Sequence, residues 1–169
     1  MKISIVTAVY NRRSTIGHAL DSVASQSHKD IEYVVQDGGS TDGTCDVITA
    51  KNDPRIAFVS TVDEGLYDAI NRGIRRTNGD VVGLMHSDDF FATSEILSHV
   101  AKAMEDPGID GVYGDLDYVA ADDTARIIRR WRAGLYQPQI LSKGWMPPHP
   151  TLYLRREVFE KHGLYDTSS

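Results

Sequence analysis

Residues 2–11, Lys-Ile-Ser-Ile-Val-Thr-Ala-Val-Tyr-Asn, decide the fold class of this chain. Their apolar, β-branched character is typical of a buried parallel strand ending near Val9. After Asn11, apolar residues recur at helical spacing at Ile16, Ala19, Leu20 and Val23. The order predicts a strand, a loop and a helix.

The same cycle recurs through the first half of the chain. Further strands are predicted at Ile31 to Gln36, Ile56 to Ser60 and Val81 to Met85. A short helix around Val47 and Ile48 and an amphipathic helix from Leu66 to Asn78-Gly79 separate them. Alternating strands and helices favour parallel pairing, so the loops after the strands should share one edge of the sheet, where ligands bind in such folds.

The pattern changes in the second half. A helix is expected between Ser94 and Glu105, and short strands are expected at Gly111 to Tyr113, Asp117 to Ala120 and Ile127 to Trp131. Met146 to Pro150 is proline-rich and predicts a rigid loop rather than a domain boundary. We therefore expect a single α/β domain over residues 1–169 with a mixed C-terminal part.

Composition narrows the function classes. With 169 residues, 41% of them apolar and 25% charged, the chain is typical of a globular domain. A net charge of −6 argues against nucleic-acid binding, and the single cysteine, Cys45, rules out an intrachain disulfide. The apolar stretch Ile3 to Tyr10 is too short to span a membrane and lacks a signal-peptide pattern, which favours a cytoplasmic location.

Side chains suited to a planar base follow the first two strands. Tyr10 offers a ring for stacking, and Asn11 offers an amide. Asp37 begins a glycine-rich turn, where its carboxylate could accept a base N–H. The alternatives are a packing role for Tyr10 and an ordinary turn at Asp37.

The fourth strand is followed by His86-Ser87-Asp88-Asp89. Adjacent carboxylates at a ligand-binding edge repel each other and favour a compensating cation. Mg²⁺ and Mn²⁺ prefer oxygen ligands, so such an ion could join Asp88 or Asp89 to a diphosphate, with His86 assisting. The alternative is that the two aspartates cap the following helix.

Four ordered segments together resemble family 2 glycosyltransferases of the GT-A fold. They are Thr7 to Asn11, Asp37 to Thr44, Glu64 to Gly73, and Gly79-Asp80 with His86 to Asp89. The resemblance is strongest over residues 2–91, and Pro148-His149-Pro150-Thr151 is similar to a later segment of bacterial polysaccharide-assembly members. It implies a Rossmann-like three-layer sandwich with a mainly parallel central sheet. Residues 1–91 would form the nucleotide-sugar-binding half and residues 92–169 a partial acceptor-side region.

The resemblance also implies roles for individual residues. Tyr10 would lie against the nucleobase, Asp37 would bind its edge, and Asp88 and Asp89, with His86, would hold Mn²⁺ or Mg²⁺ and the diphosphate. The remaining candidate donor contacts are Thr7, Asn11, Asp68, Asn71 and Arg72. His149 is a candidate contact for the acceptor or the diphosphate, with a structural role as the alternative.

This chain departs from the family pattern at two positions and in one segment. Many members have two consecutive aspartates where Asp37-Gly38 stands, and many have aspartate at the position of His86. The family's catalytic base is expected on a helix beyond Ser169, so the sequence predicts a C-terminally truncated domain. Neither Asp115 nor Asp117 is assigned as the base.

The implied reaction is transfer of a sugar, with inversion, from a nucleoside diphosphate sugar to a hydroxyl of a glycan or a lipid-linked acceptor in bacterial surface polysaccharide synthesis. A UDP-sugar is favoured as donor and a GDP-sugar is the second choice. The basic side chains Arg126, Arg129, Arg130 and Arg132 allow peripheral contact with the inner face of the cell membrane, the alternative being a solvated charged face.

Two other functions stay open. A noncatalytic nucleotide-sugar-binding module, or an inactive fragment, would keep the donor site without turnover. A sugar-phosphate nucleotidyltransferase uses related metal-bound diphosphate chemistry, but the glycine-rich loop with a basic residue expected near its start is lacking. A dinucleotide oxidoreductase is disfavoured because no Gly-x-Gly-x-x-Gly motif follows the first strand.

Overall fold

The computed structural model describes residues 1–168. In its first half, strands and helices alternate in the order β1 (Ile3–Val9), α1 (Ile16–Ala24), β2 (Ile31–Asp37), α2 (Thr44–Ala50), β3 (Ile56–Ser60), α3 (Leu66–Arg75) and β4 (Val81–Leu84). The second half contains α4 (Ile96–Ala103), β5 (Gly111–Val112), β6 (Leu116–Val119), β7 (Ile127–Trp131), α5 (Pro138–Leu141), a 3-10 turn (His149–Thr151), β8 (Tyr153–Arg155) and α6 (Arg156–His162).

The central sheet is mainly parallel, as predicted. Its six strands lie in the order β3-β2-β1-β4-β8-β5. Strands β3, β2, β1 and β4 pair in parallel, and β8 runs antiparallel between β4 and β5. Strands β6 and β7 form a separate antiparallel pair. The predicted α/β fold with a mixed C-terminal part is therefore confirmed.

Each face of the sheet has its own apolar core, because alternate residues of a strand point to opposite faces. Ile3, Ile5 and Val9 of β1 pack in one cluster with residues of α1 and α4. Val6 packs on the opposite face with Ile70 and other apolar residues of α3 and of the segment around α6. Helices thus cover both faces, which gives the expected three layers.

Helix α3 lies very close to β1 at one glycine. A Cβ atom on Gly73 would overlap the Cγ1 atom of Val6. This contact lets the helix backbone rest directly on the strand.

Strand β8 was missed by the sequence analysis. It has only three residues, too few to show an alternating pattern. The ring of Tyr153 lies over Gly83 of β4, where any side chain would collide with it. Tertiary packing therefore determines this strand, and its antiparallel direction brings the His149–Thr151 turn beside the end of β4.

No helix within residues 1–168 is both long enough and apolar enough to span a membrane.

Candidate functional site

Three loops meet where β2, β1 and β4 end at the same edge of the sheet. The three strands are neighbours in the sheet order, with β1 in the middle. Tyr10 directly follows β1, Gly38 follows β2, and the His86–Asp89 turn comes just after β4. Because neighbouring strands lie about 4.8 Å apart, the three strand ends span roughly 10 Å. The topology brings together the loops that the sequence analysis expected to meet.

Tyr10 presents its ring at this edge. The residue is 58% exposed, although it adjoins a buried strand. Asn11 has a left-handed backbone, with φ of 49°, and its N–H donates to Ser40 Oγ at 2.8 Å. Its side-chain Oδ1 accepts the N–H of Thr41 at 2.9 Å. Asn11 therefore joins the first two loops, which fixes the backbone beside the ring of Tyr10.

Asp37 points inward and organises the second loop. The residue is 0% exposed, and its Oδ2 accepts the N–H groups of Gly39 and Ser40, each at 2.9 Å. The hydroxyl groups of Ser40 and Ser60 also donate to this carboxylate. Burial alone would raise the pKa of Asp37, but these donors outweigh it and hold the pKa below its usual value. Both oxygens of Asp37 already accept hydrogen bonds within the protein. A contact between Asp37 and the nucleobase stays a prediction.

Thr7 lies beneath the site. It is 0% exposed, and its Oγ1 shares a hydrogen bond of 2.9 Å with the Tyr33 hydroxyl and donates to the Met85 carbonyl at 2.6 Å. A donor contact by Thr7 stays a prediction; in this structure its hydroxyl is buried and hydrogen-bonded within the protein. Thr7 instead links β1 to β2 and to the residue after β4.

Asp68 and Arg72 hold the loop between β3 and α3. Arg72 Nη2 lies 2.7 Å from Asp68 Oδ2, and Arg72 Nη1 donates to the Val62 carbonyl at 2.9 Å. The Glu64 N–H donates to Asp68 at 3.0 Å. The hydrogen bond from Glu64, together with Arg72, keeps the pKa of Asp68 below its usual value. Both residues lie near the predicted site, and their polar atoms stabilise this loop.

Asn71 is used inside the protein. It is 3% exposed, its Nδ2 donates to the Tyr165 carbonyl at 2.8 Å, and its Oδ1 accepts the Tyr165 N–H at 3.0 Å. A direct donor contact by Asn71 stays a prediction; in this structure its amide is buried and paired with backbone groups. The pairing joins α3 to the segment after α6.

The acidic turn after β4 holds two unlike carboxylates. Asp88 is exposed, whereas Asp89 is partly buried. Burial raises the pKa of Asp89, nearby His86 lowers it, and Asp88 raises it further. Among residues 1–168, neither carboxylate forms an ion pair with lysine or arginine. This turn has the uncompensated negative charge that favours a cation.

The chemistry of the turn fits a hard divalent ion that also binds a ligand. In the described part of the chain, no group of three or more His, Cys, Asp or Glu side chains is arranged to hold a metal by itself. Mg²⁺ is usually held by one or two carboxylates together with substrate phosphates. Asp88 and Asp89 match that pattern, with His86 alongside.

His149 lies against this turn. Its ring centroid is 5.8 Å from that of His86, 5.4 Å from Tyr165 and 6.4 Å from Tyr67. Burial, with a smaller effect of His86, lowers its pKa, and its Nε2 atom is buried without a hydrogen-bond partner within residues 1–168. The structure thus places the His149 ring beside the acidic turn.

The arginines proposed for membrane contact mostly have partners on the protein. Arg132 lies 2.9 Å from Asp117 and 3.6 Å from Asp115, and Arg126 lies 2.6 Å from Asp122. Arg129 lies over the rings of Tyr118 and Trp131. These contacts favour the alternative of a solvated charged face.

One acidic residue at this edge was not singled out by the sequence analysis. The carboxylate of Asp63 lies directly beside Gly38, and Asp63 Oδ1 accepts the Gly65 N–H at 3.0 Å. The available signal was an acidic residue soon after β3, at the same edge as the other candidates. Because Asp63 and Glu64 are adjacent acidic residues in the same turn, the sequence does not indicate which of them faces Gly38.

Comparison with known proteins gives consistent matches over the chain. The family model described as Glycosyl transferase family 2 matches residues 4–163. An uncharacterised glycosyltransferase from Nostoc sp. is 30% identical over 171 residues, covering 95% of this chain and 53% of the relative. The chain thus spans about half the length of this relative.

Solved structures show the same fold. Mannosyltransferase PcManGT from Pyrobaculum calidifontis, in complex with GDP-Man and Mn²⁺, has a TM-score of 0.75 at 22% identity, covering 99% of this chain and 48% of that one. S. aureus TarS 1-349 in complex with UDP-GlcNAc has a TM-score of 0.76 at 21% identity, covering 98% and 48%. The GT-A fold expected from the sequence is thereby confirmed.

Proposed function

The chain belongs to glycosyl transferase family 2, and from this premise we propose that it binds a nucleoside diphosphate sugar and transfers the sugar to an acceptor hydroxyl with inversion at the anomeric carbon. The observation that supports this most directly is the adjacency of the exposed Tyr10 ring and the acidic turn at the ends of neighbouring strands β1 and β4. One loop suits a nucleobase and the other suits a metal-bound diphosphate.

The donor is proposed to lie along the sheet edge. Its base stacks on Tyr10, since an exposed ring offers a planar apolar surface. Its diphosphate lies near Asp88 and Asp89, whose carboxylates hold Mn²⁺ or Mg²⁺. PcManGT was solved with GDP-Man and Mn²⁺ and TarS with UDP-GlcNAc, so both donor classes are known for this fold. A UDP-sugar is our first choice, and a GDP-sugar is the second.

A divalent ion held at this turn would supply positive charge for the leaving diphosphate. The residues of the chain have separate tasks around it. Asp88 and Asp89 would hold the ion, and the partial burial of Asp89 would strengthen its attraction to the ion because water is partly excluded. His149 is the candidate contact for a diphosphate oxygen or an acceptor hydroxyl, because its ring lies beside His86. No residue among 1–168 is assigned as the base that deprotonates the acceptor hydroxyl.

The acceptor is proposed to be a glycan or a lipid-linked glycan of bacterial surface polysaccharide synthesis. The Pro148-His149-Pro150-Thr151 segment, which is similar to polysaccharide-assembly members, supports this class. Its placement beside the acidic turn puts it where an acceptor would approach the donor sugar. Action at the cytoplasmic side of the membrane follows from that acceptor class.

Donor binding and product analysis test the proposal. Isothermal titration of UDP, GDP, UDP-GlcNAc and GDP-mannose, each with and without MnCl₂, should show metal-dependent binding of at least one nucleotide. Incubation with the donor should release nucleoside diphosphate, with transfer or slow hydrolysis of the sugar. Release of pyrophosphate from a sugar phosphate and a nucleoside triphosphate would instead indicate a nucleotidyltransferase. Binding without any turnover would indicate a noncatalytic module, and absence of all binding would contradict the proposal.

A further inference from the structure

Gly38 leaves room for the side chain of another residue. A Cβ atom built on Gly38 would overlap Asp63 Oδ2 and would lie 3.1 Å from Asp63 Cγ and 3.4 Å from Oδ1. The backbone of Gly38 does not have a positive φ, so conformational freedom does not explain a glycine here. The missing side chain instead makes space for the carboxylate of Asp63.

The Asp63 carboxylate lies beside the loop that presents Tyr10. The Gly38 N–H donates to the Val9 carbonyl at 2.9 Å, and Val9 is paired with Asp37 in the strand register. Tyr10 and Gly38 are the residues that follow this last pair of β1 and β2. A base stacked on the Tyr10 ring would therefore extend over Gly38, toward the carboxylate that fills this space.

The loop containing Asp63 is held from several sides. Thr61 N–H donates to the Asp37 carbonyl at 2.9 Å, and Arg72 binds the Val62 carbonyl. Asp63 Oδ1 accepts the Gly65 N–H, and Asp68 accepts the Glu64 N–H. These bonds restrict the loop before any ligand arrives, which lowers the entropic cost of using Asp63 in binding.

We propose that Asp63 is the residue that recognises the nucleobase edge, accepting the imide N3–H of uracil or thymine through Oδ2, in the space left by Gly38. This inference rests on the proposed donor binding and deepens it by naming the base-reading residue. Asp37 is the less suitable candidate because it is 0% exposed and both of its oxygens already accept hydrogen bonds within the protein. Asp63 is only partly buried, its Oδ1 accepts the Gly65 N–H, and no hydrogen-bond partner of its Oδ2 occurs among residues 1–168.

The state of the two oxygens favours an imide over guanine. Oδ1 is bonded to Gly65, whereas Oδ2 is available. Uracil and thymine offer one N–H at this edge, while guanine offers an adjacent N–H and NH₂ that a carboxylate binds best with both oxygens free. Cytosine offers an unprotonated ring nitrogen, which a carboxylate repels. We expect affinity to fall in the order UDP or dTDP, then GDP, then CDP.

The first experiment compares nucleotides and variants by isothermal titration with MnCl₂. UDP, dTDP, CDP and N3-methyl-UDP are titrated into the wild type, Asp63→Ala, Asp63→Asn and the neighbouring control Glu64→Gln. Asp63→Ala should weaken UDP binding by about tenfold to a hundredfold, as expected for loss of a hydrogen bond to a charged group. N3-methyl-UDP should bind the wild type equally weakly, and Glu64→Gln should bind UDP as the wild type does. Comparison of UDP and dTDP separates a ribose from a deoxyribose donor.

Asp63→Asn guards against a folding artefact. Its Oδ1 can still accept the Gly65 N–H, so the loop keeps its bond, while an NH₂ group replaces the available oxygen. The ratio of CDP affinity to UDP affinity should therefore rise at least tenfold, a gain that an unfolded variant cannot show.

Moving the carboxylate from position 63 to position 38 gives an independent test. Gly38→Ala should push the Asp63 carboxylate aside and weaken UDP binding, with little change in the melting temperature because the displaced group is the end of a side chain. The double variant Gly38→Asp with Asp63→Ala should recover UDP affinity to within about fivefold of the wild type, because it returns a carboxylate to the same space.

The outcomes separate this inference from the proposed function. Failure of the wild type to bind any nucleotide would reject the proposed function and this inference with it. Normal UDP binding by the wild type, with unchanged affinity in Asp63→Ala and no discrimination against N3-methyl-UDP, would overturn the role of Asp63 alone. A loss in Asp63→Ala that is matched for UDP and N3-methyl-UDP would also overturn it, because the carboxylate would then not read N3–H.

Discussion

The side-chain amide of Asn71 is paired with both backbone groups of Tyr165. The amide nitrogen donates to the Tyr165 carbonyl at 2.8 Å, and the Tyr165 N–H donates to the amide oxygen at 3.0 Å. Since the Tyr165 ring contacts His149, this pairing connects α3 to the histidine beside the acidic turn. A residue expected to touch the donor thus positions the C-terminal part of the site.

Replacing Asn71 should therefore destabilise the protein. Asn71→Ala removes two buried hydrogen bonds and leaves the backbone groups of Tyr165 unpaired, which should lower the free energy of unfolding by about 2 to 4 kcal/mol. Urea denaturation followed by circular dichroism measures the loss. Gln139→Ala, at an exposed position, is the matched control and should change little. Equal stability of the two variants would show that the pairing contributes nothing.

The buried carboxylate of Asp37 should make stability depend on pH. Its pKa lies below the unfolded value near 3.9, so the stabilisation is complete above that pH and is lost as the pH falls through the folded pKa. Asp37→Asn should lower the free energy of unfolding by roughly 1.5 to 3 kcal/mol at pH 7. In urea denaturation the gap in the free energy of unfolding between the wild type and Asp37→Asn should narrow as the pH falls below about 4. Asp122→Asn, at an exposed ion pair, should show no such gap, and a constant gap for Asp37→Asn would contradict this role.

Tyr10 should contribute to donor affinity and little to stability. Stacking of a base on an aromatic ring is worth about 1 to 3 kcal/mol, so Tyr10→Ala should weaken UDP binding by roughly fivefold to 150-fold. Because the ring is 58% exposed, the melting temperature should stay within a few degrees of the wild type. Tyr10→Phe keeps the stacking surface and should bind UDP nearly normally. Tyr136→Ala, at a similarly exposed ring outside the site, should leave UDP binding unchanged.

The acidic turn should determine the response to metal. In the wild type, Mn²⁺ should increase the thermal stabilisation that UDP produces, because a ligand that binds the native state raises stability by mass action. Replacing both aspartates, by Asp88→Asn and Asp89→Asn, should abolish the increase while keeping the fold. Thermal unfolding with UDP, with and without MnCl₂, measures the effect, and Glu105→Gln is the control. A metal response that survives in the double variant would place the metal elsewhere.

The parallel half of the fold could be predicted from sequence because its elements have clear local patterns. Ile3 to Val9 and Ile56 to Ser60 are continuous strands bounded by polar loops, and Leu66 begins a helix with regular apolar spacing. The alternation of strands and helices by itself predicts that Tyr10 and the turn at His86 lie at the same edge of the sheet. These features depend on neighbouring residues along the chain.

The features that were missed depend on tertiary contacts. Strand β8 forms because the Tyr153 ring fits over Gly83, which no local pattern reveals. Thr7 and Asn71 were expected to face a ligand, yet their polar groups pair with Met85 and Tyr165, far away in sequence. Asp63 was overlooked because the position of its carboxylate depends on the absence of a side chain at Gly38. Position along the chain indicates which loop a residue belongs to, but not the direction in which its polar atoms point.

The shared space between Gly38 and Asp63 also constrains how such sites can evolve. Only one of the two positions can fill that space, so an acidic residue at one should accompany a small residue at the other across related proteins. A mutation that adds a side chain at position 38 would be harmful while Asp63 is present and tolerated once it has been lost. Loss of the acidic residue at position 63 would then have to precede the gain of one at position 38 in any lineage that changes from one arrangement to the other.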